Sequence, residues 1–335
     1  MSRIRWMSVG VAITILTALG AGFSLWSPSP QEPPYQLVKT WGGKGADPGR
    51  FNEPTGVAVF GNEVFISDSR NARIQVFDLD GHYKRAFGEA GKAHGQLGRP
   101  MNLTVARGEL YVADYFNDWI QVYTLDGRFL REIGQAGSGP GQFDAPGGVA
   151  VAGNGNVYVA DFYNQRVQHL NADGGFVRQW GVTRETGVFG GKLGYPTDVA
   201  LAPTGTLFIA DGYNDRVLAY DLNGGDLNTG VSSGELTTKW GGPFAMNIHG
   251  PWNGWFATVT SITVGPKGNV YVADFYNDRV QKFTPDGEFL NAFGLPGDGT
   301  MHTAIAVAVS HDGSVFVADY ANHQIQKWRR NEQDR

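Results

Sequence analysis

The octapeptide Asp274-Phe275-Tyr276-Asn277-Asp278-Arg279-Val280-Gln281 gathers the side chains from which an active site is built: two carboxylates, two carboxamides, a guanidinium and a phenol. A carboxylate beside an arginine could serve acid–base chemistry or the holding of an anion. Related stretches occur at Asp68–Gln75, Asp114–Gln121, Asp161–Gln168, Asp211–Leu218 and Asp319–Gln326, with leading aspartates 46, 47, 50, 63 and 45 residues apart. A residue present in all six copies cannot mark one asymmetric site. The recurrence instead predicts that each Asp and the Asn three residues later (Asn71, Asn117, Asn164, Asn214, Asn277, Asn322) fix a turn by side-chain to backbone hydrogen bonds. Arg73, Arg166, Arg216 and Arg279 are expected to pair with acidic or carbonyl groups between units.

Chemistry specific to this chain is then sought where the repeat breaks. Trp119 replaces the arginine of the second copy, as a ligand platform or as filler between units. After the fourth copy, seventeen residues, 242 to 258, precede the next apolar strand, against eleven in the first two units. They include Phe244, Asn247, His249, Trp252, Asn253, Trp255 and Phe256, aromatic surface with polar tips that suits a ligand lid or a self-packed plug. His94, His249 and His302 lie in equivalent connecting loops and could converge as an open zinc site. Asn102, Asp198 and Ser261, at equivalent strand entries, could hold Ca²⁺ through oxygen. No cofactor is required by these residues. The glycine-rich loops such as 134 to 146 lack the G-x-x-x-x-G-K-[ST] pattern and lead into strands, so they are turns rather than phosphate cradles.

The elements that position these residues follow from the repeat. In the second unit Leu103–Ala106 and Leu110–Ala113 flank a Gly-containing turn and form a hairpin. The Asp114–Asp118 turn, a third strand at 119–123, the Asp126-Gly127 turn and a fourth strand at 129–133 complete a four-stranded antiparallel meander. One such sheet cannot bury both faces, whereas copies set radially around an axis can. The last unit stops after its third strand, and the repeat region starts with a lone strand, 36–42, that resembles the fourth strands. The N-terminal strand is therefore expected to complete the C-terminal blade, giving an all-β six-bladed propeller without an open edge. In such a blade the turn after the second strand and the loop leading to the next unit open on one face, so departures from the repeat can meet at one mouth.

The bulk numbers agree. Gly 48 and aromatic 13% with charged residues at 18% suit a turn-rich β protein. A net charge of -5 with no basic run in the repeats argues against nucleic acid as a partner. The absence of Cys excludes disulfides, thiolate metal sites and a lipidated cysteine. Arg3 and Arg5 precede twenty uncharged residues, 7 to 26, long enough to cross a bilayer as a helix. The positive-inside bias then places the repeats on the extracytoplasmic side. Residues 1–26 are read as a membrane anchor or as a signal peptide cleaved near Ala18 to Gly22, the length of the run favouring the anchor. Residues 27–34, rich in proline, are read as a stiff spacer, 35–329 as the propeller and 330–335 as a polar tail.

Pro146-Gly147-Gly148-Val149-Ala150-Val151, then 155 to 161 ending on Asp161, Asn164, Arg166-Val167-Gln168 and Trp180-Gly181, resemble NHL repeats, and the resemblance spans about residues 35 to 328. It implies the same six-bladed propeller. It leaves activity open, since such propellers include extracytoplasmic sensor domains, RNA-binding proteins and a metal-dependent lyase, with calcium-dependent lactonases among related folds. The expectation is a monomeric, membrane-held binding module for a protein, peptide or glycan, with Asn102, Trp119, Asp198, His249, Trp252, Trp255, Ser261 and His302 as ligand-binding positions. The alternative is a metal-dependent lyase or lactone hydrolase at the channel mouth.

Overall fold

A computed structural model describes residues 27–223, 234–294 and 303–331. They form six four-stranded antiparallel sheets set around a central channel, and in five of them the strands follow chain order from the axis outward. Blade 1 consists of Pro54–Phe60, Glu63–Asp68, Arg73–Asp78 and Tyr83–Phe87. Blade 6 draws its three inner strands, Ala304–Val309, Val315–Asp319 and Gln324–Arg330, from the C-terminal end. Its outermost strand is Tyr35–Gly42. Tyr35 pairs with Arg330 and Gly42 with Gln324 in antiparallel register. The third strand of this blade thus runs one residue beyond the expected end of the domain.

Burial follows from radial packing. The second strands Val157–Asp161, Val270–Asp274 and Val315–Asp319 are buried at every residue, because neighbouring blades cover both faces of each sheet. They accordingly read as continuous apolar runs rather than alternating ones. Outermost strands such as Tyr83–Phe87 carry Lys84 and Arg85 and are largely solvent-facing. Each of the six apolar clusters is shared by two consecutive blades; Phe208 and Trp240 of blade 4, for example, pack with Val272, Phe283 and Phe289 of blade 5. The Asp-Gly turns belong to this packing. Gly81 lies at φ 78°, and a Cβ there would stand 2.7 Å from the Trp41 ring of the preceding blade.

The recurrent aspartates are turn builders, as their recurrence implies. Asp161 is fully buried; its Oδ1 accepts from the Asp144 backbone N–H at 2.8 Å, and its Oδ2 accepts from Arg166 Nε at 2.8 Å and Gln168 Nε2 at 3.1 Å. Arg166 in turn donates to the carbonyls of Gly139 and Gln142, tying down the loop that enters the blade. The fifth residue of every motif is left-handed: Ala72, Asp118, Gln165, Asp215, Asp278 and His323 all have φ between 50° and 60°. Five of these side chains accept a backbone N–H from the next blade, that of Ala145, Tyr195, Thr258, Thr303 or Glu53, at 2.6–3.0 Å. Ala72 has no such acceptor, and at that junction the Arg99 N–H goes to Asp114 instead. One motif position therefore both closes its own turn and links blades.

The proline-rich segment is not a free spacer. The Pro28 carbonyl accepts from Asn253 Nδ2 at 2.9 Å, and the Gln31 N–H donates to Leu290 O at 2.8 Å. Lys282 Nζ meets Glu32 Oε2 at 2.5 Å, and Asn291 Nδ2 donates to the carbonyls of Glu32 and Pro33. Proline confines the backbone, but these contacts between the segment and blade 5 decide where it lies. The sequence also lengthens the turn between the third and fourth strands of blade 4, from Asp226 to Glu235; most of that turn, the apolar run 7–26 and His302 fall outside the described residues, in which no helix is long and apolar enough to cross a membrane.

Candidate functional site

The turns after the second strands and the loops between blades open on one face, around the channel mouth. The turn aspartates and asparagines point inward to the backbone, and of the two residues between them the second is exposed in every blade while the first is half-buried or buried. Those residues are Ser69-Arg70 in blade 1, Tyr115-Phe116, Phe162-Tyr163, Gly212-Tyr213, Phe275-Tyr276 and Tyr320-Ala321. Their rings form a crown. Tyr115 lies 6.1 Å from Phe162, Phe162 5.1 Å from Tyr195, and Tyr195 5.1 Å from Tyr213. A second arc runs from Tyr276 through Phe275 to Tyr320. Phe116, Tyr163, Tyr213 and Tyr276 are exposed.

The crown is interrupted at blade 1 by a charged notch. Glu53 pairs with Arg70 at 2.5 Å and with Arg99 at 3.3 Å, and the Arg99 guanidinium stacks over Phe116 at 5.5 Å. Burial pushes Glu53 up, but hydrogen bonds from Arg70 and Tyr320 outweigh it and hold the carboxyl below its ordinary value. Burial and the Tyr163 hydroxyl push the Tyr115 phenol up, so it stays a neutral hydrogen-bonding group.

Below the crown lies a cavity of about 280 Å³, lined by Tyr115, Phe162, Tyr213, Phe275, Tyr276 and Arg99 above a floor that includes Thr55, Thr197 and Thr260. The floor threonines are fixed. Each donates to the first inner-strand carbonyl of the following blade: Thr55 to Pro100, Thr197 to Val259 and Thr260 to Ala304, at 2.8–3.2 Å. The mouth is thus a rigid, mostly apolar cup of the size of one side chain or one sugar ring.

Asn102 lines both the cup and the channel beneath it, which encloses about 290 Å³. Asp198 and Ser261 meet in that channel: Ser261 Oγ donates to Asp198 Oδ2 at 2.9 Å, as does the Ile262 N–H at 3.0 Å, while the Val199 N–H reaches Oδ1 at 2.9 Å. The Asp198 carboxyl, held by three donors, joins blades 4 and 5. Burial pushes the Asp198 carboxyl up to about 7 against those donors. The folded form therefore keeps its proton at pH values where the unfolded chain, with a carboxyl near 3.9, has lost it. Stability contributed at this site is greatest in acid, falls as pH rises from about 4 to about 7, and stays low above, by on the order of a few kcal/mol. Asp198→Asn is expected to flatten that part of the stability curve. Thermal melts of both proteins from pH 4 to 8 check it, and parallel curves would show that Asp198 ionises normally.

The other expected site residues are dispersed. Trp119 does not join the crown: it takes the strand register that Arg73, Arg166 and Arg279 occupy elsewhere, opposite its turn aspartate. It is half-buried, with its indole N–H buried and without a hydrogen-bond partner, so it fills the space of a guanidinium. His94 stacks on Phe129 and faces Glu132 at 3.1 Å, on the loop beside the outer strand of blade 2. His249 is exposed in the long loop, and His302 is among the undescribed residues. Among the described residues no group of three or more His, Asp or Glu is placed to hold a metal. Trp252 and Trp255 pack edge to face at 4.6 Å, and of the 242–258 loop only Thr258 lines the cup. The loop neither plugs the channel nor presents its tryptophans to the mouth.

The crown is what reading the repeat missed. Its signal was present: between the invariant Asp and Asn the two intervening positions change from blade to blade yet carry an aromatic in five of six.

Sheet order and mouth define the class, a six-bladed β-propeller with a cup at one end of its channel. The NHL repeat profile matches residues 51–77, 143–170 and 256–283, within the first, third and fifth blades. Forty-two residues are 50% identical to Protein brain tumor of Drosophila melanogaster, a match covering 12% of this chain and 4% of that protein, so the chain spans a small part of that relative's length. Similar solved structures include a streptogramin B lyase (15% identity, 89% of this chain and 98% of that one, TM-score 0.58). The virginiamycin B lyase of Staphylococcus aureus is similar over 88% of this chain and 99% of its own at 16% identity, with a TM-score of 0.56. The WD40 propeller domain of Doa1 is similar over 89% and 98% at 12% identity, with a TM-score of 0.60. At such identities the likeness is one of fold.

Proposed function

We propose that this chain is a membrane-held binding module, on the extracytoplasmic side, whose aromatic crown takes a side chain or sugar-sized group presented by a protein, peptide or glycan. The observation that carries the reading is the arc of rings from Tyr115 to Tyr213 facing that from Phe275 to Tyr320, over a floor of fixed threonines. Aromatic faces bury apolar surface at low entropic cost, and phenols and hydroxyls supply orientation. Among the described residues the cup offers Arg99 as its ionic group and no histidine or free carboxylate, and its aromatic lining supports the binding reading over the lyase or hydrolase one. The lyases of similar fold support that second reading only as far as architecture.

Peptide and glycan arrays probed with the full chain in detergent are expected to return binders that depend on the crown. Tyr213→Ala and Tyr276→Ala each remove an exposed ring and are expected to weaken binding by about 5- to 30-fold with little change in melting temperature. Trp119→Ala is expected to leave affinity unchanged. Binders that keep full affinity for the Tyr213→Ala, Tyr276→Ala double variant would place the site elsewhere.

A further inference from the structure

We infer that the rim loop 242–258 of blade 4 lies in the interfacial layer of a phospholipid bilayer, seating the mouth side of the propeller against the membrane. The inference rests on the anchored reading of residues 7–26. The first observation is the path of the chain. The uncharged run ends at Trp26, and Pro28 is already fixed to Asn253 of the rim loop, its ring 3.6 Å from where a Cβ on Gly254 would stand. Residues 31–34 are then tied to blade 5 and to Asn331. No slack remains between the apolar segment and the propeller, so a segment that enters a bilayer brings this rim to its surface.

The second observation is the loop itself. Its seventeen residues contain no Asp, Glu, Lys or Arg. Phe244 is 73% exposed and Ile248 45%, with Met246 and Trp252 also exposed. Phe244, Ala245 and Asn247 have φ of 60°, 50° and 59°, a left-handed course that is costly for such residues and that carries the Phe244 ring outward. The course is held from below. Arg279 donates to the carbonyls of Pro251, Trp252 and Trp255 at 2.8–2.9 Å, and Arg216 reaches the carbonyl of Ala245 at 3.4 Å. With its nitrogen turned inward, the Asn247 amide donates to the carbonyl of the crown residue Tyr213 at 3.1 Å. Backbone carbonyls already satisfied by guanidinium groups lower the cost of entering a layer poor in water, while Phe, Met, Ile and Trp side chains gain by it. A loop without Lys or Arg should seat by apolar insertion, independent of anionic lipid at pH values where His249 is neutral. The crown would then read ligands presented close to the membrane.

The cysteine-free chain allows a direct test. Phe244→Cys and Ile248→Cys are labelled with an environment-sensitive fluorophore in the full-length protein reconstituted into phosphatidylcholine vesicles, with Phe60→Cys on the opposite face as the control. Lipid-borne nitroxides are expected to quench the labels at 244 and 248 about twofold or more beyond the label at 60. Equal quenching at the three positions, in protein that floats with the vesicles, would overturn the docking while leaving the anchor intact. Protein that fails to float with vesicles would remove the anchor and the docking with it.

Discussion

Removal of residues 35–42 is expected to leave a chain that no longer melts cooperatively and that self-associates. This strand is the outer edge of blade 6, and without it the third strand, Gln324–Arg330, presents an unpaired backbone to solvent. The loss is also one of core. Tyr35 stacks on Phe293 at 4.4 Å and shares a hydrogen bond with Tyr271, while Trp41 packs near Phe316 and Phe77. A buried aromatic is worth about 2–3 kcal/mol and the half-buried Trp41 less, to which seven paired residues add, against a total stability of about 5–15 kcal/mol. Size-exclusion chromatography and circular dichroism read the result. Tyr35→Ala with Trp41→Ala, in the intact chain, isolates the packing part and is expected to lower the melting temperature while the protein stays monomeric. A monomer of unchanged stability after the deletion would show that the blade closes without this strand.

Asp274→Ala is expected to cost about 3–5 kcal/mol, near the largest effect of any single substitution. Asp274 has no exposed surface; its Oδ2 receives Arg279 Nε at 2.8 Å and Gln281 Nε2 at 3.0 Å, and its Oδ1 receives the Ala257 N–H at 2.7 Å. Truncation leaves the Arg279 guanidinium buried without its anion and frees the rim loop that both residues hold. The double variant Asp274→Ala, Arg279→Met removes the stranded charge as well and is expected to recover part of the loss, so a double-mutant cycle by denaturant unfolding separates the ion pair from the turn. Asp319, which meets Gln324 where four of the blades place arginine, supplies the comparison. Asp319→Ala is expected to cost about 1–3 kcal/mol, since neutral donors are left behind. Equal losses at the two positions would mean that the turn, and not the buried charge, sets the cost.

These two results mark the division between what could be read from residue order and what could not. Repetition made the aspartates and asparagines legible as turn builders, because a turn is local: Asp161, Asn164 and Arg166 find one another within six residues. It also made the architecture legible, since an unfinished last unit and a lone fourth strand at the other end predict each other. Trp119 was legible only as a departure. Whether it faces ligand or fills a gap depends on the register of its strand, where it stands opposite Asp114 and takes the arginine's place. The histidines depend on the same long-range placement, since equivalent loops in a propeller are rotated apart, and His94 stands beside Glu132 and Phe129.

By itself the sequence determined the number of blades, the turns that build them, the exclusion of disulfides and thiolate sites, and the position of an apolar run ahead of the repeats. Only the tertiary structure decided that the variable residues inside each motif form a crown, that Asp198 and Ser261 from different blades share a hydrogen bond, and that residues 28–34 are tied to blade 5. The physical reason is range. Turn chemistry and strand propensity act over a few residues and leave a periodic trace, whereas a ring of side chains around an axis is assembled from positions about 45 residues apart or more, whose approach is set by the packing of whole blades.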